Sequence, residues 1–214
     1  MNLVNYLTSI YGYDSPIFIK DVRIGKKSKT AIREEFYRAH KRGELNKDGP
    51  GVYSIVNKSN ELKPTVTFEK ILNDKFLYDV PFVEGMDMFY IKGYYSGLSF
   101  LNMIGISEQV PAIVEVTTNS TSSKKRYYSA LNRVAIIRKA RTEITFQNYK
   151  ILQFLDMFHF LTMDEVKENK ELICKYVETS KISKHQFAQY ISLYSAQTMK
   201  KITEVGIINA FVEY

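Results

Sequence analysis

Apolar residues recur at helical spacing at the start of the chain. Leu3, Leu7 and Ile10 lie four and three residues apart, which predicts a short helix over Asn2 to Tyr11. A Ser-Pro pair follows, and proline is favoured at the first helical position because its missing N–H needs no partner there. We therefore predict a second helix over Ile17 to Val22.

A third helix and a hairpin complete this opening pattern. Ile32, Phe36 and Ala39 have helical spacing, and a glycine follows where a helix commonly ends. Residues 44–46 and 52–55 are short β-favourable runs on either side of a segment of Asp, Gly and Pro, which predicts a hairpin. Three helices followed by a hairpin is the order of a winged helix-turn-helix domain.

The polar segment 57–63 precedes Pro64 and contains no apolar period. Domain boundaries usually lie in such segments. We therefore predict a winged-helix DNA-binding domain over residues 1–58 and a second domain over residues 64–214.

The second domain shows both helical and strand patterns. We predict helices over Thr67–Phe76 and Tyr94–Ile104, strands over Met86–Ile91 and Pro111–Thr118, and an antiparallel meander of three runs, Lys124–Tyr128, Arg133–Arg138 and Thr142–Phe146. From Tyr149 the apolar period becomes helical and continues in amphipathic helices to about Val212. The predicted class is α+β, with a mixed α/β second domain that ends in amphipathic helices.

Two capping boxes and an aromatic stripe occur in this last third. Thr162-x-x-Glu165 and Ser183-x-x-Gln186 are each typical of a helix start. The aromatic residues that begin at Phe187 recur at helical spacing, which favours a core or a helix interface over a base-stacking platform.

Positive charge is concentrated near the N-terminus. The chain has a formal net charge of +7, and residues 1–58 contain eleven Lys and Arg against six Asp and Glu. Nine of these cations and only three acids lie between Lys20 and Arg42. This local excess favours an anionic partner such as DNA.

The predicted third helix offers a face for that partner. If Ile32 and Phe36 face the core, then Lys29, Arg33 and Tyr37 share an outward stripe suited to phosphates and base edges. The alternative is an ordinary solvated helix surface. The candidate DNA contacts are Lys26, Lys27, Ser28, Lys29, Thr30, Arg33, Tyr37, Lys41 and Lys47.

Signatures of catalysis are weak. The three histidines lie far apart, no P-loop, nucleophile elbow or dinucleotide fingerprint occurs, and Cys174 lies in an apolar period typical of a core thiol. Asp87, Glu115 and Lys124 could form a nuclease site, although nothing in their spacing requires one. We expect no enzymatic activity, no cofactor and no metal.

The N-terminus has neither the basic start nor the long apolar run of a secretion signal. No stretch approaches 18 uninterrupted apolar residues. We therefore expect a cytoplasmic protein without a membrane partner.

Three ordered blocks resemble the AbiE-type abortive-infection antitoxins and their relatives among transcriptional regulators. Residues 42–45 (RGEL) with 51–53 (GVY) are similar to the family's "KGELxRxxRGVY" wing. Residues 95–111 (YSGLSFLNMIGISEQVP) are similar to its "SALxxLGLSxQVP" block, and 116–118 (VTT) follow. Residues 150–156 (KILQFLD) are similar to its "EKALLDLL" helix.

The chain departs from the family pattern at two places. Tyr149 and Lys150 stand where the last block usually opens with glutamate, and Pro50 precedes Gly51 where the wing normally has arginine. Lys47 is the candidate for the missing cation of the wing.

The resemblance implies a protein with two roles. The winged helix would repress the protein's own operon by binding double-stranded operator DNA. The second domain would counteract a nucleotidyltransferase-like toxin encoded beside it, without requiring a stable complex. The chain is not that toxin, because it lacks the Asp-x-Asp pair that would hold Mg²⁺. The alternative is a stand-alone transcriptional regulator whose second domain binds a ligand or dimerises.

Overall fold

The chain is described by a computed structural model that covers residues 2–13, 15–57, 66–79 and 90–213. These residues form a mixture of helices and strands, so the predicted α+β class is confirmed. No helix in the described ranges is both long enough and apolar enough to cross a membrane.

The chain divides into two compact units. Unit 1 consists of Met1–Asp74 and Ser129–Val134, and unit 2 consists of Lys75–Tyr128 and Ala135–Tyr214. These units have a different extent from the predicted domains 1–58 and 64–214, because residues 66–74 and 129–134 belong to unit 1. Most of the polar boundary segment, 58–63, lies outside the described residues.

Unit 1 combines helices with a three-stranded sheet. Its elements in chain order are helix α1 (Leu3–Tyr11), strand β1 (Ile17–Phe18), helix α2 (Lys29–Lys41), strands β2 (Leu45–Gly49) and β3 (Val52–Ile55), and helix α3 (Phe68–Leu72). Strand β3 lies in the centre of the sheet and pairs antiparallel with both β1 and β2. The predicted hairpin is therefore present, and β1 adds a strand to it.

Helix α2 forms where the apolar period predicts it. The Ser28 side chain accepts a hydrogen bond from the backbone N–H of Ala31 and caps the helix start. Gly43, with φ of +72°, follows the helix in the left-handed conformation that glycine adopts most easily. Ile32 and Phe36 are buried in the core of unit 1, which confirms the predicted inward face.

The predicted helix over Ile17–Val22 is wrong. Ile17 and Phe18 form strand β1, in register with Tyr53 and Val52 of β3, and a turn follows in which the Asp21 N–H donates to the Phe18 carbonyl. Ile17 and Phe18 are both β-favourable residues, and pairing with β3 satisfies their backbone groups and buries Ile17 completely.

Most residues of a four-stranded sheet belong to unit 2. The elements here are the two-stranded pair β4 (Tyr78–Asp79) and β5 (Tyr90–Ile91), strand β6 (Gly93–Tyr95), helix α4 (Gly97–Met103), and strands β7 (Val114–Thr118), β8 (Lys125–Ala130) and β9 (Arg133–Lys139). The larger sheet has the order β6-β7-β9-β8. Strand β7 pairs antiparallel with β6 and parallel with β9.

The predicted antiparallel meander is present only in part. Strands β8 and β9 form and are neighbours in the sheet, but Thr142–Phe146 is not a strand. The other neighbour of β9 is β7, with which it pairs in parallel. Residue preference identifies β8 and β9 as strands but does not encode their pairing, which buries Ala135 and Ile137 of β9 in the middle of the sheet.

Two other predictions in this region hold only in part. The predicted helix Tyr94–Ile104 begins three residues later, at Gly97, because Tyr94 and Tyr95 pair with β7. Of the predicted strand Met86–Ile91, only its last two residues are described, as β5.

The C-terminal part of unit 2 is helical, as predicted. Its elements are α5 (Tyr149–Met157), α6 (Met163–Glu168), α7 (Lys170–Ser180), α8 (Lys184–Tyr190) and α9 (Ala196–Glu204), with 3₁₀ turns at Ile191–Leu193 and Ile207–Ala210. Helix α5 is the most buried, and Phe154 packs edge-on against Phe158 and Phe211. Both capping boxes are confirmed, at the starts of α6 and α8.

The aromatic stripe that begins at Phe187 contributes to this core. Phe187 is buried and stacks on Phe211, with ring centroids 4.8 Å apart. The Tyr194 hydroxyl donates to the Leu152 carbonyl at 3.2 Å. Cys174 packs partly buried against the same core, and burial raises the pKa of its thiol, as expected of an unreactive cysteine.

Candidate nucleic-acid interface

Helix α2 carries an exposed polar stripe on the side opposite its buried residues. Lys29, Arg33, Tyr37 and Lys41 lie four residues apart and are all exposed. The Lys41 ammonium lies 5.5 Å from the centre of the Tyr37 ring. We define these four residues as the α2 stripe.

The acidic residues near the stripe are neutralised by other cations. Three ion pairs do this: Lys27 with Glu35 at 2.5 Å, Arg38 with Glu34 at 3.1 Å, and Arg42 with Glu44 at 2.8 Å. Within the described ranges, no ion pair involves Lys26, Lys29, Arg33, Lys41 or Lys47. The positive charge that is left without an acidic partner is therefore concentrated on the α2 stripe and beside it.

The remaining candidates near the start of α2 have different roles. Thr30 and Lys26 are exposed. The Ser28 hydroxyl oxygen is engaged as the helix cap, so its side chain first of all stabilises the helix. Lys27 is held by Glu35, which makes it a weaker phosphate ligand than its neighbours.

Lys47 lies on the hairpin rather than on the helix. It is an exposed residue of β2 opposite Tyr53, and the register shifts between Lys47 and Gly49. A bulge of this kind redirects side chains near a strand end. The hairpin loop closes at Gly51, with φ of +70°. Nothing described places Lys47 on the α2 stripe itself.

A buried carboxylate lies next to Lys47. Asp48 is only 7% exposed, and its Oδ2 atom has no hydrogen-bond partner among the described residues. Burial raises the pKa of Asp48, and a hydrogen bond with Ser54 opposes this in part. A carboxylate whose pKa is raised by folding lowers stability once the pH exceeds its unfolded value, because the folded state must then bury a charge.

Asp48→Asn is therefore expected to stabilise the protein at neutral pH. Removal of a poorly compensated buried charge should raise the free energy of unfolding by about 1 kcal/mol and the melting temperature by about 2–4 °C. The gain should disappear as the pH falls below the ordinary Asp range, where both states are protonated. Thermal melts at pH 3 and pH 7 measure this, with Glu168→Gln on an exposed position as the control of equal charge change. An equal shift at both pH values would contradict the assignment.

Unit 2 contains a polar cluster that the sequence pattern does not predict. The Tyr94 hydroxyl donates to Asp156 Oδ2 at 2.7 Å, and Arg141 Nε lies 3.4 Å from Oδ1 of the same carboxylate. Burial raises the pKa of Asp156, while these hydrogen bonds and the positive charge oppose the rise. The Arg141 guanidinium also lies 4.7 Å from the centre of the Tyr194 ring. The sequence signal for this cluster is Asp156, the acidic residue of the predominantly apolar α5.

The nuclease hypothesis gains no support from the described residues. Glu115 forms an ion pair with Arg138 at 2.7 Å, and Asp87 lies outside the described ranges. Where side chains are described, no group of three or more His, Cys, Asp and Glu could hold a metal ion. His40 has a structural role, since its Nδ1 lies 2.9 Å from the Leu45 carbonyl oxygen.

No protein-family model matches the sequence, and no similar curated protein is found. The resemblance to the AbiE-type antitoxins thus stays a prediction from the sequence blocks.

Proposed function

We propose that unit 1 is a winged-helix domain that binds double-stranded operator DNA, with α2 in the major groove and the β2–β3 hairpin as the wing. The order of α2 and the hairpin, with β1 added to β3, supports this proposal. The second of the three predicted helices is replaced by β1. The proposal therefore depends on α2 and the hairpin, not on a complete set of three helices.

The main support for the DNA-binding proposal is the distribution of ion pairs on and around α2. The acids Glu34, Glu35 and Glu44 each have a cationic partner, whereas Lys29 and Arg33 point into solvent without one in the described part of the chain. A solvated surface helix usually intersperses charges of both signs. A helix face with only cations and a tyrosine matches the phosphates and base edges of a major groove.

The proposed cellular role is that of an antitoxin. Unit 1 would repress the protein's own operon, and unit 2 would counteract a nucleotidyltransferase-like toxin encoded beside it, without enzymatic activity of its own. The three blocks of family resemblance support this role. The runner-up is a stand-alone regulator with a ligand-binding second domain, which the cavity described below favours.

Two measurements test these proposals. The full-length protein should bind a duplex from upstream of its own gene more tightly than a scrambled duplex, as measured by fluorescence anisotropy. Co-expression with the adjacent open reading frame should restore growth if that frame encodes a toxin. DNA binding without any growth rescue would favour the stand-alone regulator.

Arg33→Lys separates base recognition from phosphate contact. A guanidinium can donate two parallel hydrogen bonds to guanine, whereas an ammonium cannot reproduce this planar fork. We expect a loss of about 1–3 kcal/mol in discrimination between operator and scrambled DNA, with little change in binding to scrambled DNA. Arg38→Lys, at an exposed position of the same helix outside the α2 stripe, is the matched control. Unchanged discrimination in the Arg33 variant would move base recognition to Lys29 or Thr30.

A further inference from the structure

Unit 2 contains a cavity of about 440 Å³ at the carboxyl ends of its two parallel strands. Thr117 near the end of β7 and Arg138 and Lys139 at the end of β9 line it, together with residues of the segments that follow. The carboxyl ends of parallel strands are the usual place for ligands in sheets that contain them. A volume of this size is within the range of small-molecule sites.

The lining of this cavity is predominantly cationic. Four Lys and Arg residues contribute to it, namely Lys124, Arg138, Lys139 and Arg141. The carboxylate in the lining is Asp156, which already accepts hydrogen bonds from Tyr94 and Arg141. In the described ranges, neither Lys124 nor Lys139 has an ion-pair partner. An anion in the cavity would supply the missing charge.

Both arginines are held in fixed positions. Two nitrogens of Arg138 contact one carboxylate oxygen of Glu115, at 2.8 Å and 2.7 Å, and the guanidinium lies 5.6 Å from the centre of the Phe160 ring. Arg141 is fixed between Asp156 and the Tyr194 ring. Each guanidinium still has N–H groups to donate, and a guanidinium fixed in this way loses little entropy when it binds a phosphate.

The close packing around Glu115 supports this arrangement. A Cβ atom on Gly97 would lie within 3 Å of the Glu115 carboxylate, and the backbone N–H of Glu115 donates to the Ser99 hydroxyl at 3.0 Å. Glu115 is 12% exposed. The group that holds Arg138 is itself held from two sides, so Arg138 is prepositioned without any ligand.

We propose that this cavity binds the phosphate groups of a nucleotide, with Arg138 and Arg141 as fixed donors and Lys124 and Lys139 as the cations that close on the ligand. The lining carries four cations against one carboxylate, and this excess of three positive charges favours a ligand with two or more phosphates. His159 and Phe160, which pack edge to face on one wall, provide an aromatic surface for the base. This inference concerns unit 2 alone and does not depend on DNA binding by unit 1.

The test is isothermal titration of the full-length protein with pyrophosphate, a nucleoside triphosphate, inorganic phosphate and a short single-stranded oligonucleotide. We expect pyrophosphate and the triphosphate to bind and inorganic phosphate to bind much more weakly. Lys124→Gln with Lys139→Gln should weaken binding by about tenfold for each lost charge-assisted bond. The control with the same charge change is Lys125→Gln with Lys167→Gln, which replaces two exposed lysines outside the cavity lining.

Three results would overturn the proposal. The first is that no phosphate compound binds at millimolar concentration, and the second is that the control variant weakens binding as much as the cavity variant. The third is that only the oligonucleotide binds, which would indicate a nucleic-acid groove instead of a nucleotide site. A variant of the α2 stripe should bind pyrophosphate normally, so failure of DNA binding and failure of this proposal are distinguishable.

Discussion

In the stripe variant, the three cations of the α2 stripe (Lys29, Arg33 and Lys41) and the neighbouring Lys26 are replaced by glutamine, which is expected to lower the affinity for duplex DNA by on the order of 10³-fold at about 0.1 M salt. Each phosphate contact contributes about 0.9 to the slope of log K against log salt. At about 0.1 M salt, which is one decade below 1 M, each contact therefore raises log K by about 0.9. About six neutralised phosphates would give the unmodified protein a slope of about −5, and the loss of four contacts should reduce it by between 3 and 4. Anisotropy titrations between about 0.05 and 0.2 M salt measure both quantities.

A matched variant separates this effect from net charge. Glutamine at Lys167, Lys175, Lys184 and Lys200 removes the same four charges from exposed positions in unit 2, and it should change the salt slope little. Loss of structure is not the expected cause in the stripe variant, because removal of Lys29 from the start of α2 favours the helix dipole. Equal losses in the two variants would show that binding follows overall charge and not the α2 stripe.

If unit 2 counteracts a neighbouring toxin, as proposed above, the same stripe variant is expected to keep full neutralisation. The cations that it removes lie in unit 1, whereas unit 2 has a large apolar core of its own around α5. We therefore expect growth rescue at the level of the unmodified protein, together with loss of repression at the operator. Growth assays with the neighbouring gene under a separate promoter measure rescue, and a reporter fused to the operator measures repression.

A variant in unit 2 should show the opposite behaviour. Phe154 is fully buried between Phe158 and Phe211, and Phe154→Ala is expected to cost about 3–5 kcal/mol of stability and to abolish rescue. Both variants are full-length, because truncation near residue 60 would remove residues 66–74 and 129–134 from unit 1. If the stripe variant folds but fails to rescue, the DNA-binding face itself takes part in neutralisation.

The elements that the sequence predicts well are those whose stability is local. Helix α2 has a cap, an apolar period and a terminal glycine, and α5 has an apolar period strong enough to identify it. Strand β1 is different, because its two residues are extended only through pairing with β3, more than 30 residues away. The parallel pairing of β7 with β9 likewise depends on long-range contacts that residue preferences do not encode.

The candidate interface shows the same division. Its stripe follows from the spacing of Lys29, Arg33 and Tyr37 along one helix, so periodicity predicts it. Which cations have acidic partners does not follow from spacing, since Lys27 pairs with Glu35 eight residues away. Local patterns do not predict the cavity in unit 2, because its lining residues come from separate parts of the chain: Lys124 precedes β8, Arg138 is in β9 and Asp156 is in α5.

Unit 1 is assembled from two distant parts of the chain. This arrangement affects when its contacts can form during synthesis of the protein. Its second part supplies the Leu131 N–H that donates to the Asp48 carbonyl at 2.7 Å, and Arg133, which pairs with Glu69. Domains generally fold as units while the chain emerges from the ribosome, N-terminal parts first. The apolar core around α2 comes entirely from residues 3–55, but these two contacts can form only after residue 133 has been made, by which point strands β6, β7 and β8 have also been made. The unit that we propose to bind the operator thus receives its last stabilising contacts late in translation, so a prematurely terminated chain would carry a less stable unit 1.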